Sequence, residues 1–132
     1  MAAFCVLGGI FSEGIDLKEE RLIGAIIVGT GLPQMNPEQE ILREYFDQQE
    51  GKGFAYAYQY PGMNKVLQAA GRVIRTATDC GVIGLLDERF LRRDYRGLFP
   101  REWDDCRVCS LKTLPGMLES FWKTARPERK VI

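Results

Sequence analysis

Three residues within Asn64–Thr76 are of types suited to holding phosphate: Gln68, Arg72 and Arg75. Spaced i, i+4 and i+7, they fall along one face of a helix. Arginine forks match phosphate oxygens two at a time, and glutamine adds a planar amide. On the other face Val66, Ala69, Ala70, Val73 and Ile74 follow the spacing of a core-facing stripe. Gly71 interrupts this helix at a cost of about 1 kcal/mol relative to Ala, which points to a close approach to its backbone. An ordinary solvated face with Arg–acid pairs has the same spacing, so periodicity alone leaves both readings open. The second candidate is Gly8–Asp16, GGIFSEGID. Its glycines leave backbone N–H groups accessible, and Ser12 and Glu13 suit the cap of a following turn. A tight strand-to-loop turn reads the same way. The run is neither G-x-G-x-x-G, which disfavours a dinucleotide-dependent dehydrogenase, nor G-x-x-x-x-G-K-[ST].

Other chemistries are narrowed by composition. The chain of 132 residues contains no His, which removes imidazole triads, His-ligated zinc and a His base near neutral pH. Cys5 and Cys80 lie in or beside apolar runs and are expected to pack as small hydrophobes. Cys106-x-x-Cys109 is half of a zinc pattern with no second half, so no metal site is expected. The sulfur usage fits a reduced, cytoplasmic protein, and no apolar run is long enough to span a bilayer. Net charge is zero, yet residues 1–60 carry nine acids against four bases and residues 61–132 fourteen bases against nine acids. Five arginines fall between Arg89 and Arg101 with Asp94 as the sole acid among them. They suit either an anionic partner or ion pairs with Asp87, Glu88 and Asp94.

The elements that must position these residues are legible from hydropathy. Ala2–Leu7, Leu22–Val28 and Val82–Leu86 are short, nearly uninterrupted apolar runs. They suit strands covered on both faces, hence a parallel sheet. Helical patterns separate or follow them. Pro37–Gln49 has Pro in its first turn and Ile41, Leu42, Tyr45 and Phe46 along one face; Asn64–Thr76 and Thr113–Thr124 are the other two. Cys106–Leu111 is a candidate last strand. The β–α–β alternation predicts one three-layer α/β domain over residues 1–125, with 126–132 as a charged tail. Such a sheet binds ligands at the carboxyl ends of its strands, which selects Gly8–Asp16, Gly29–Pro33 and the turn at Asp87.

In this order the segments resemble a known family. GGIFSEGIDL (Gly8–Leu17) resembles motif V of superfamily-2 helicases of the XPD/DinG type, and QAAGRVIR (Gln68–Arg75) matches their motif VI, Q-x-x-G-R-x-x-R. DCGVIGLLDERF (Asp79–Phe90) is similar to the family's D-x-G…D-x-R-F extension, and GLP (Gly31–Pro33) to the segment between the motifs. YRGLFPREW (Tyr95–Trp103) is similar to the bacterial DinG-like group. The resemblance covers residues 5–103.

It implies a RecA-like, P-loop NTPase-like fold with a mainly parallel sheet, the second helicase domain, truncated at its N-terminus. It implies ATP as cofactor, with Gln68 facing the triphosphate, Arg72 neutralising phosphate charge and Arg75 acting as arginine finger. Gly14 and Asp16 would touch the nucleotide or orient the arginines, and Ser12, Glu13 and Gly31 would meet nucleic acid. The chain holds no Walker A lysine and no DEAH-like acidic motif. Mg²⁺ ligands are therefore expected on the first RecA-like domain of a parent helicase, the implied partner together with single-stranded DNA. The chain alone is expected not to hydrolyse ATP. Missing elements would bare a sheet edge or apolar patch and favour self-association. The alternative is a non-catalytic nucleotide- or protein-interaction module with the same fold; in-frame Walker motifs upstream would exclude it.

Overall fold

The computed structural model describes residues 2–9, 22–74 and 79–125. Two strands, β1 (Gly24–Val28) and β2 (Val82–Leu86), pair in parallel, from Gly24 with Val82 to Val28 with Leu86. Both lie within apolar runs of the sequence. Parallel neighbours cannot be joined by a hairpin, so the chain crosses over between them. It does so through helix α1 (Pro37–Glu50) and helix α2 (Tyr60–Ala70). The class is α/β with parallel pairing, as the sequence predicts.

Helix α1 begins where Asn36 accepts the Gln39 N–H at 2.8 Å and Pro37 occupies the first turn. It ends at Gly51, whose φ of 66° is the left-handed cap that glycine adopts without strain. The backbone then re-enters a helical run in which Ala55–Gln59 form a π turn ahead of α2. There the Tyr60 N–H donates to the Ala55 carbonyl, and the widened turn accommodates Pro61, whose ring would otherwise press on a carbonyl four residues back. Phe46 stacks on Tyr56 at 4.3 Å, and the Tyr58 hydroxyl donates to Glu40, so rings and one carboxylate join α1 to this run. The core gathers under α2: Met63, Val66 and Ala70 are buried with Ile27 of β1 and with Val73, Phe90 and Tyr95.

Several expectations are corrected. The helix foreseen over Asn64–Thr76 starts earlier and stops at Ala70, because Gly71 caps it and the chain tightens into i→i+3 bonds from Arg72 to Ala69 and from Val73 to Ala70. Ala2–Val6 is not a strand; it lies outside the sheet with Phe4 fully exposed, and Cys5 is exposed rather than packed. Without a neighbour to satisfy its N–H and C=O groups, an apolar run gains nothing from extending as a strand. Cys106–Ser110 has no regular structure either. Strand β1 is not covered on both faces, since Ile26 and Val28 are 71% and 73% exposed while Ile27 between them is buried. No residue of α1 is buried, and Ile41 and Tyr45 face solvent.

The chain divides into two compact units, Met1–Leu98 and Phe99–Ile132. In the second unit Phe99 meets Trp103 edge to face at 5.2 Å. Ser110 and Thr113 cap each other ahead of helix α3 (Leu114–Ala125), on which Phe121 contacts Trp122. Among the described residues no helix is long and apolar enough to cross a membrane.

Candidate functional site

Helix α2 is held against the loop after β1 by two glycines. A side chain on Gly62 would stand 2.6 Å from the Thr30 carbonyl oxygen and 3.1 Å from the Leu32 nitrogen. One on Gly31 would stand 2.8 Å from the Gly62 oxygen and 2.9 Å from Leu7 Cδ2. Only hydrogen fits on both sides of this crossing, and Gly31 also needs its φ of 66°. The crossing encloses Thr30, which is fully buried with a hydroxyl that has no hydrogen-bond partner among the described residues.

One turn further along α2, Lys65 lies over the turn that follows Leu7. Its Cδ, Cε and Nζ stand 3.2, 3.3 and 3.6 Å from where a side chain on Gly8 would begin. Gly8 has a φ of 81°, and the turn closes with the Gly9 N–H on the Val6 carbonyl at 3.0 Å. The loop after Leu7, the loop after β1 and the start of α2 therefore meet at one place. Gly31, chosen from the strand-end rule, sits at its centre. The sequence reading named neither Gly62 nor Lys65. Their only signal is the glycine in YPGMNK placed one turn ahead of a lysine, and its meaning depends on what the helix touches.

Gln68 is exposed on the last turn of α2, and Arg72 follows, half-buried and partnered, in the turn beyond Gly71. Helix and turn thus carry Lys65, Gln68 and Arg72 away from the glycine crossing in succession. Arg75, Ser12, Glu13, Gly14 and Asp16 lie outside the described residues. Around the helix from Lys65, Tyr60, Met63, Asn64 and Leu67 line an open groove of about 320 Å³ with Leu98.

The third strand-end turn is built from Asp87. Its carboxylate accepts the Arg89 N–H at 2.9 Å and holds the Arg89 guanidinium through Nε at 2.9 Å and Nη2 at 2.7 Å. The Arg89 guanidinium beside it pulls the Asp87 carboxyl down to about 2. Phe90 is buried edge to face against Tyr95. D-x-R-F is thus a clamp followed by a core anchor. Arg92 is paired in the same two-pronged way with Asp94, which also accepts from the buried Gln59 at 3.2 Å. Two of the five clustered arginines are therefore spent on acids two residues away. Among the described residues no cluster of three or more His, Cys, Asp or Glu side chains is placed to hold a metal ion.

Comparison with known proteins agrees with the family resemblance. Residues 1–106 match the family described as Helicase C-terminal domain. The ATP-dependent DNA helicase chl-1 of Caenorhabditis elegans is 35% identical over 70% of this chain and 11% of its own length. Regulator of telomere elongation helicase 1 of Homo sapiens is 33% identical over 72% of this chain and 8% of its own. The ATP-dependent DNA helicase DinG of Photobacterium profundum is 36% identical over 66% of this chain and 13% of its own. The chain spans about a tenth of the length of these relatives.

Proposed function

The chain belongs to the helicase C-terminal domain family, and from that premise we propose that it works as the second RecA-like half of an ATP-dependent DNA helicase. The observation that carries this reading is the complete Q-x-x-G-R-x-x-R pattern, with Gln68 exposed at the end of α2 and Arg72 in the turn that Gly71 opens. An amide and guanidinium forks are the donors that phosphate oxygens accept from, which fits ATP as the bound group. ATP supplies the phosphoryl group whose transfer drives the motor.

In this reading Gln68 and Arg72 bind the phosphates, and Gly14 and Asp16 orient them. Arg75 is the finger, adding positive charge where the transferred phosphoryl oxygens carry it, a contribution of about 10³–10⁵ in rate. Ser12, Glu13 and Gly31 meet single-stranded DNA. Mg²⁺ is held by the first RecA-like domain, the partner across the nucleotide, so the 132-residue chain alone hydrolyses no ATP.

The test is DNA-stimulated ATP hydrolysis by a helicase that contains this domain. Arg75→Ala and Arg72→Ala are each expected to lower it by about 10³-fold or more at unchanged expression and folding. Wild-type turnover in the Arg75→Ala protein removes the finger assignment.

A further inference from the structure

We propose that Lys65 is a contact for the phosphodiester backbone of single-stranded nucleic acid, a role outside both sequence motifs that rests on the helicase reading above. The geometry carries it. Lysine is a flexible chain whose ordering costs rotamer entropy, so a fixed ammonium needs a surface to lie on. Gly8 supplies one: with no side chain there, the Lys65 methylenes lie 3.2 and 3.3 Å from its missing Cβ position and carry Nζ across the turn. The helix beneath is itself fixed, because Gly62 one turn earlier is pressed to contact distance against Thr30 and Leu32.

Charge points the same way. Arg43, Lys52, Arg89 and Arg92 each have a carboxylate within 4 Å, but among the described residues no acid pairs with Lys65. A cation with no acid beside it among the described residues, lying over bare glycine backbone, leaves room for an anion to approach. Gly8, Gly9 and Gly31 offer no side chain to read a base edge, so the contact is to backbone phosphate and carries no sequence preference. Lys65 precedes Gln68 by about one turn of α2, roughly 4.5 Å along its axis. Nucleic acid at Lys65 and nucleotide at Gln68 and Arg72 are thus neighbours on one helix, and the experiment must separate them.

The test measures binding of the full chain to a fluorescent oligothymidine of about 20 nucleotides, across about 50 to 200 mM salt. Lys65→Met keeps the aliphatic stem on Gly8 and removes only the charge; Lys65→Arg restores the charge. The Met variant is expected to bind roughly three- to tenfold more weakly, with a salt slope shallower by about 0.7. The Arg variant is expected to recover both, with thermal melting and affinity for a fluorescent ATP analogue unchanged throughout. Wild-type affinity and slope in the Met variant overturn the Lys65 assignment and leave the helicase reading standing. Loss of the ATP analogue instead of the oligonucleotide overturns it in favour of a nucleotide contact. Absence of oligonucleotide binding by the wild-type chain at low salt removes the nucleic-acid reading and this assignment together.

Discussion

Asp87 caps the turn after β2 and holds Arg89 with both carboxylate oxygens while only 15% of its side chain is exposed. Its carboxyl lies at about 2, below the ordinary 3.8, chiefly through the Arg89 hydrogen bonds. A carboxyl depressed by folding stabilises the fold above its unfolded value and loses that contribution as pH falls through its folded value. The Asp87 contribution is therefore complete above about pH 5 and is lost as pH falls through about 2. Because Arg89 is 37% exposed, solvent screening reduces it to roughly 1–2 kcal/mol. Asp87→Asn keeps the cap and removes the charge, so urea denaturation should show that deficit at pH 7 and little of it once the pH has fallen to about 2. A pH-independent deficit would place the effect in the cap instead. The pairing was only half legible in the sequence. DERF displays the acid and the arginine, but their spacing of two resembles no helical pair; only the short turn after the strand closes it.

At the scale of elements, glycine decides where α2 lies. Gly62→Ala places a methyl 2.6 Å from the Thr30 carbonyl oxygen, an atom of the backbone that cannot swing aside. The helix or the loop after β1 must move, at an expected cost of about 1–3 kcal/mol. Thermal melting checks the cost, and the oligonucleotide affinity of the variant should fall with it because the two loops separate. A melting temperature equal to wild type would mean that the crossing is looser than its distances. Some elements were readable in advance: Val82–Leu86 agrees to the residue and Pro37–Glu50 to within one, whereas Ala2–Leu7 and Cys106–Leu111 form no strand. The start of α2 was hidden because FAYAYQYPG breaks the 3.6-residue period at a π turn, which shifts every later side chain around the axis. Its end was overextended, since apolar spacing continues through Val73 and Ile74 after Gly71 has already closed the helix.

At the scale of the whole molecule, β1 turns Ile26 and Val28 outward and β2 adds Leu86, 54% exposed, opposite Val28. An apolar sheet face left in water favours burial against another copy. Sedimentation velocity should show concentration-dependent association, reduced by Ile26→Thr with Val28→Thr, substitutions that keep the strand preference for a β-branched residue. A wild-type chain that stays monomeric at high concentration would contradict this. The sequence by itself determined the α/β class, the parallel pairing of the two apolar runs and the family, because hydropathy period and motif order are local properties of the chain. Tertiary structure alone decided which glycines touch backbone, which arginines are occupied by acids, and where Lys65 lies. Those depend on distances between segments far apart in sequence, and a side chain is fixed in place only by what the fold brings against it.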